Sequence, residues 1–483
     1  MTRTEMIEAL ETIFGVANVL HRPADLLAYE YDATIFRGQP AVVVFPTATE
    51  QLVRLVELSR RSGVPYVARG AGTGLAGGSV PPDGGIVVAF SKMNRILDID
   101  APNRRAIVEP GVVNLHLKNA LAPLGLTYAP DPASQKVSTL GGNVANNAGG
   151  PFCLKYGVTT NHIVGLEVVL PSGKVVTLGG KAPDAPGYDL VGLFVGAEGT
   201  LGLVSKIVVR LSPLPEAHKT MTAVFPRLRD GAQAVSDIIA RGIIPAALEM
   251  LDRSAIRITE DAIKVGLPLD VDALLLIELQ GPPQGMNRQA QEIVDICWAS
   301  GASDVQVARS EAERERLWVA RRNAFGAMAK LRPNCYIADG TVPRTKLPDV
   351  LEAVYAIADR YGLTLASMFH AGDGNLHPNI LFDARDAEET ERVFKASTEM
   401  QQVCIAAGGT ITGEHGVGVE KLASMCVQFS PDERAQMQAV KLAFDARGLL
   451  NPGKVLPTLQ RCVEYGRMHV RRGLLPFAQL ERF

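Results

Sequence analysis

No Cys-x-x-Cys pair occurs among the six cysteines, Cys153, Cys297, Cys335, Cys404, Cys426 and Cys462. The spacing of an iron–sulfur cluster is therefore missing, and so is the framework of a disulfide-stapled fold. Basic excess is missing as well. The 49 Lys and Arg against 51 Asp and Glu leave a formal net charge of −2, which argues against nucleic acid or an anionic membrane as the main partner. The longest aliphatic run, Ala273-Leu-Leu-Leu-Ile277, falls far short of the ~20 residues a transmembrane helix needs. Met1-Thr-Arg-Thr-Glu-Met-Ile-Glu-Ala-Leu10 has no apolar signal core. A cytoplasmic protein, at most peripheral to a membrane, is the expectation. Internal repeats and low-complexity segments are also lacking, while 483 residues leave room for about three domains.

Glycine, by contrast, is abundant and clustered. The stretch Val67-Ala-Arg-Gly-Ala-Gly-Thr-Gly-Leu-Ala-Gly-Gly78 follows the apolar Val64-Pro-Tyr-Val67. Glycine reaches φ > 0 cheaply and carries no Cβ, so successive N–H groups can turn toward one anion, with Arg69 as a permanently charged donor beside them. A pyrophosphate is the expected ligand. Gly72-x-Gly74-x-x-Gly77 satisfies the Rossmann spacing, but that motif needs a helix to open at the glycines. Here Gly78-Ser-Val-Pro-Pro-Asp-Gly-Gly85 leads to another apolar run, Ile86-Val-Val-Ala-Phe90, so the loop should join two strands. Two further glycine-rich segments, Thr139–Gly150 and Gly196–Gly202, suggest a long ligand lying along the backbone.

The order of elements predicts α+β. Residues 1 to about 40 read as a helical lead-in and Val42–Phe45 as a strand. Thr47-Ala-Thr-Glu50 has capping-box spacing ahead of a helix that Gly63 stops. From Ile86 to about Leu211 strands dominate, including a hairpin through Pro171-Ser-Gly-Lys. Pro213-Leu-Pro215 marks a boundary, placing a first domain at 1–215, a cap at 216–456 and a tail at 457–483. The cap pattern predicts strands near 221–225, 273–279 and 305–308, with helices near 230–241 and 288–299, as a small sheet covered on one face. A helix capped by Ser310 and Glu313 carries Arg321. Helices 348–360, 388–407 and 431–445 and a strand 363–369 complete the pattern. The tail mixes Arg467, His469, Arg471 and Arg472 with Leu474, Leu475 and Phe477, a composition suited to docking a partner.

His370-Ala-Gly-Asp-Gly-Asn-Leu-His377 lies between apolar strands, with Asp373-Gly374 as a natural two-residue type I′ turn. Counting outward pairs 370 with 377, so both imidazoles could approach one cation. Asn379 follows on the same face by period two. Glu414-His415, framed by glycines, offers a carboxylate. His₂Glu with an open position suits catalytic Zn²⁺ or a similar divalent ion.

Together these segments resemble the flavin-dependent 2-hydroxy-acid dehydrogenases with the vanillyl-alcohol-oxidase fold, most of all the branch that oxidises glycolate. The carriers are Arg69–Gly77, Thr139–Asn143 with Asn147–Gly150, Gly196–Gly202, the two-histidine segment, Gly413-Glu-His-Gly416 and Leu449-Leu-Asn-Pro-Gly-Lys454. The resemblance implies an FAD-binding domain of two parts with a cap above the flavin ring, the C-terminal helices of the 216–456 segment returning to the flavin. It implies FAD contacts from Arg69, Gly70, Ala71, Gly72, Thr73, Gly74, Gly77, Pro130, Gly141, Gly142, Asn143, Asn146, Gly149, Gly150, Glu198, Gly199 and Asn451. Metal ligands would be His370, His377 and Glu414; Arg321 and Asn379 would meet substrate and His415 would be the base. Members that take dicarboxylic acids carry a lysine where this chain has Ile337, so a small monocarboxylate is favoured. No histidine stands in 69–78 to bond the flavin, so FAD should be noncovalent. The implied partners are a second flavin-fold subunit and an iron–sulfur subunit. A stand-alone D-lactate dehydrogenase and a non-catalytic flavin-fold scaffold are the alternatives.

Overall fold

The computed structural model describes residues 1–182 and 186–457, so the tail expected at 457–483 lies, from 458 on, outside the described residues. Two compact units divide the chain. One takes Met1–Ala148, Val158–Pro213 and the chain from Glu414; the other takes Gly149–Gly157 and Leu214–Gly413. The first unit's second segment ends at Pro213, within the Pro213-Leu-Pro215 stretch. The second unit ends at Gly413. The chain after it rejoins the first unit, where Leu450 pairs in parallel with Tyr66 and the Asn451 N–H donates to the Tyr66 carbonyl (2.7 Å). No helix among the described residues is long and apolar enough to cross a membrane.

In the first unit, helix α1 (Arg3–Phe14) starts on a Thr2–Glu5 capping box and buries Met6, Leu10 and Phe14, one turn apart. The rest of the lead-in is short turns and the strand Val19–Leu20, less helical than expected. Strand β1 (Val42–Val44), helix α2 (Thr49–Ser62), strand β2 (Tyr66–Arg69) and strand β3 (Ile86–Ala89) form a parallel sheet in the order β1-β3-β2, with Val19–Leu20 antiparallel on β1. Val42, Val44, Ile86 and Val88 face a core shared with α1 and α2, while Val43, Val67, Val87 and Ala89 face a second cluster with Leu26. Burial on both faces explains why these strands are apolar at every position. The expected capping box is displaced: α2 begins at Thr49 with Ala48 as N-cap, and the Thr47 N–H and hydroxyl both donate to Gln51 Oε1. Gly63 ends the helix at φ +75°.

A five-stranded antiparallel sheet completes this unit: β4 (Ile96–Asp100), β5 (Arg105–Val108), β6 (Ile163–Val169), β7 (Val175–Gly179) and β8 (Leu203–Arg210), in the order β4-β5-β8-β6-β7. Alternate residues of β8 are buried, the signature of a sheet with one face on the core. Between β5 and β6 lies a short helix, α3 (Leu140–Asn146).

The second unit is built on an antiparallel sheet of β9 (Ala217–Phe225), β10 (Ala247–Asp252), β11 (Ala273–Gly281), β12 (Asp304–Val307) and β13 (Met368–Phe369), in the order β12-β9-β11-β10-β13. Its helices are α4 (Leu228–Ala240), α5 (Arg253–Ile263), α6 (Met286–Ala299), α7 (Glu311–Met328) and α8 (Leu347–Arg360). Contrary to the one-face expectation, both faces are covered. Leu274 and Leu276 pack with Ile256 of α5 and Trp318 and Ala324 of α7. On the other side, a β-carbon added to Gly231 of α4 would touch Ala273, Met250 and Phe225 at 3.2–3.3 Å. Strand β10 and helix α5 are additions that periodicity did not suggest; Asp252 caps α5 by accepting the Ala255 N–H at 2.7 Å. The expected strand 363–369 splits, Met368–Phe369 joining β10 while Thr364–Leu365 joins β14 (Asn379–Phe382) of a separate small sheet that includes Asn334–Ile337. Helix α9 (Ala387–Ala406) ends this unit's regular elements.

Candidate functional site

Strand β2 ends at Arg69 and no helix follows the glycines, as the sequence predicted. Gly72 and Gly77 take φ of +72° and +78°, conformations that cost a side-chain-bearing residue about 1–2 kcal/mol. Among the described residues, the N–H groups of Ala71, Gly72, Thr73 and Gly74 have no acceptor in the chain. The loops pack back to back: a β-carbon on Gly70 would collide with Thr139 Oγ1, and one on Gly141 would lie 2.6 Å from Pro110 Cβ. A cavity partly open to solvent lies between Gly70, Pro110, Thr139, Gly142, Gly199 and Leu201. All three glycine segments thus line one space. The second segment is helical: Thr139 caps α3, its Oγ1 accepting the Gly142 N–H at 3.2 Å. On α3 the buried Asn143 Nδ2 has no acceptor among the described residues.

Arg69 does something other than expected. Its guanidinium lies over the Tyr29 ring and donates to the carbonyls of Tyr31 (2.7 Å) and Ala28 (3.4 Å). It braces the loop, whose free donors are backbone N–H groups. Glu198, at φ +49°, accepts the N–H of Val417 (2.6 Å) and Gly418 (2.8 Å). Burial raises its carboxyl to about 7 against the pull of those two amides. Asn451 Nδ2 donates to the carbonyls of Gly78 (3.0 Å) and Glu198 (2.8 Å), and Asn146 Nδ2 to that of His415 (2.9 Å). These side chains tie loops together. Pro130 is buried with its carbonyl on Asn114 Nδ2. Gly149 and Gly150 fall in the segment that groups with the second unit.

In that second unit, Arg321 sits on the buried stripe of α7 with Trp318 and Ala324. It faces Glu249 of β10, a residue that sequence reasoning missed. Glu249 points to the same side of its strand as Ala247 and Leu251, into the core shared with α7. It is fully buried; Arg321 donates to its Oε2 from Nε (2.8 Å) and Nη2 (2.6 Å), and His370 Nδ1 lies 2.8 Å from its Oε1. Burial pushes the Glu249 carboxyl up, but the charges of His370 and Arg321 together pull it below the ordinary value.

His370 and His377 do come together, ring centroids 5.1 Å apart and edge to face, but not in the expected register. A 3₁₀ turn covers Ala371–Asp373, Gly374 takes φ +77°, and His370 bridges to Asn375 instead of 377. The two-residue slip makes the histidines diagonal neighbours and keeps them on one face. His377 Nε2 stands 3.5 Å from buried Asp339 Oδ1, while Asp339 Oδ2 accepts the Thr412 hydroxyl (2.6 Å) and the Gly413 N–H (3.0 Å). Asn379 is buried, its amide donating to the Ala366 carbonyl at 2.8 Å. Two imidazoles backed by carboxylates make a donor set suited to a borderline divalent ion. Glu414 and His415 follow directly in sequence and belong to the first unit.

Residues 40–179 match the family described as FAD binding domain, and residues 214–455 match FAD linked oxidases, C-terminal domain. The chain is 46% identical over 482 residues to the glycolate oxidase subunit GlcD of Escherichia coli (strain K12), covering 100% of this chain and 97% of that one. It is 33% identical over 448 residues to the D-lactate dehydrogenase of Archaeoglobus fulgidus, covering 90% and 97%. In fold it is similar to p-cresol methylhydroxylase with substrate bound, at a TM-score of 0.80 and 19% identity over 95% of this chain and 97% of that one. With glycine loops shaped for a dinucleotide and both family domains matched in order, the chain belongs to the FAD-linked oxidases.

Proposed function

We propose that the protein oxidises a small 2-hydroxy acid, glycolate first and D-lactate next, to the 2-oxo acid, with FAD bound noncovalently. The observation that carries this reading is the buried cluster in which Arg321 and His370 share Glu249 beside His377. It sets an anion-binding group next to imidazoles able to hold a cation. The cradle N–H groups of Ala71–Gly74 and the Asn143 amide would hold FAD; His370, His377 and Glu414 would hold the metal, zinc by ligand type. Bound there, FAD would supply the two-electron acceptor and the metal a Lewis acid at the substrate oxygen.

The chain's own residues would do the rest. With Nε and Nη2 on Glu249, Arg321 would offer its Nη1 edge to the substrate carboxylate, fixing the orientation of the reacting carbon. Asn379 would meet the substrate through its amide oxygen, and His415 would take the hydroxyl proton. Ile337, buried and paired in register with Asn379, offers no charge to a second carboxylate. Without a cluster motif in the sequence, the electrons would leave through a separate acceptor. The relative's printed name, a subunit, supports a multi-subunit complex; a second flavin-fold subunit and an iron–sulfur subunit at the membrane's inner face would be its other members.

A panel of 2-hydroxy acids with an artificial dye acceptor tests the reading. Glycolate and D-lactate should turn over and 2-hydroxy dicarboxylates should lag. Equal turnover of dicarboxylates, or none of any 2-hydroxy acid by flavin-replete protein, would overturn it. Noncovalent binding has its own test, because nothing from 69 to 78 is a nucleophile apart from the hydroxyl of Thr73: acid precipitation should move the yellow colour to the supernatant, and colour kept in the pellet would refute it.

A further inference from the structure

We infer that Glu249 is a positioning residue that fixes His370 and Arg321 at once, so that the grip on a metal and the grip on a substrate carboxylate are coupled through one buried side chain. The inference rests on the metal reading above and adds to it. Glu249 has no exposed surface and shares its strand face with Ala247 and Leu251. A carboxylate in such surroundings is retained only when its oxygens are matched by donors. Both oxygens are matched: His370 Nδ1 stands 2.8 Å from Oε1 and 3.0 Å from Oε2, while Arg321 Nε and Nη2 donate to Oε2.

Each contact has a consequence beyond holding the fold. A carboxylate against Nδ1 places the imidazole proton there, so the ligating lone pair belongs to Nε2 and the ring plane is set. On Arg321, occupation of the Nε–Nη2 edge orients the planar guanidinium and turns its Nη1 edge, 3.5 Å from Met368 Sδ, toward whatever it binds. Removing the charge of Glu249 therefore frees the tautomer of one residue and the plane of the other. A residue that merely supported the fold would leave both binding constants alone once the protein was folded.

The test uses full-length, FAD-loaded protein and Zn²⁺ titrated against a chromophoric chelator. In Glu249→Gln, Zn²⁺ affinity should fall on the order of 10–100-fold. The KM for glycolate should rise at saturating Zn²⁺, with the FAD-to-protein ratio unchanged. Unchanged Zn²⁺ affinity and KM would overturn the inference. If that variant does not fold, Glu249→Gln/Arg321→Gln leaves no uncompensated buried charge and is compared with Arg321→Gln alone. Weaker Zn²⁺ binding by the double variant supports the role, and equal binding overturns it. Failure of the unmodified protein to bind Zn²⁺ at all is a different result, which would remove the metal reading and this inference with it.

Discussion

His377→Ala should lower kcat/KM for glycolate on the order of 10³-fold, the range in which loss of a Lewis acid removes several kcal/mol of stabilisation, while FAD stays bound. The separation of the two effects follows from where the groups lie. His377 belongs to the second unit, 8% exposed, with its ring against His370 and its Nε2 beside Asp339. The cavity lined by the glycine segments is made wholly of first-unit residues. Truncating the imidazole leaves Asp339 with the Thr412 hydroxyl and the Gly413 N–H, so the loop leading to Glu414 keeps its anchor. Steady-state turnover and the ratio of flavin to protein absorbance measure the two effects independently. Turnover that survives both this substitution and chelation would make the histidine pair structural.

What could be read from the sequence divides along physical lines. The glycine loops were legible because positive φ and absence of Cβ are local properties, visible wherever glycines cluster ahead of no helix. The histidine pair was legible in outline but wrong in register, since the turn is decided by remote groups. Arg344 Nε donates to the Gly372 carbonyl at 2.6 Å, and Gly374 lies so close to the Val342 carbonyl that a β-carbon there would collide with it. A slip of two residues preserves the face of a strand, so the two histidines still share one face. Glu249 left no signal, because its partners lie 72 and 121 residues away and a glutamate within a short strand reads as surface. That the C-terminal helices return to the flavin was expected, but Glu414 as the point of return was hidden for the same reason: Glu198 meets Val417 and Gly418 across 219 and 220 residues.

Gly72→Ala should weaken FAD binding by at least tenfold, whereas Gly84→Ala should leave it as it is. Both glycines hold nearly the same left-handed conformation, φ +72° and +71°, so both variants carry the same backbone strain of about 1–2 kcal/mol. Only the surroundings differ. A β-carbon on Gly84 meets nothing within 4 Å, but one on Gly72 would collide with Arg69 Nη2 and stand 2.6 Å from its Cζ. That guanidinium cannot swing away freely, being pinned on the carbonyls of Tyr31 and Ala28 and over the Tyr29 ring. Displacing it breaks these part-buried hydrogen bonds from a charged group, about 1.5–3 kcal/mol each, or else moves the loop and with it the Ala71–Gly74 donors. Even the lower figure corresponds to roughly tenfold when it falls on the bound state. A total stability of ~5–15 kcal/mol leaves the fold intact under that load. Reconstituting the two apo variants with FAD and following flavin fluorescence gives both dissociation constants. Equal constants for Gly72→Ala and Gly84→Ala would mean that the loop from Arg69 to Gly74 does not cradle the cofactor.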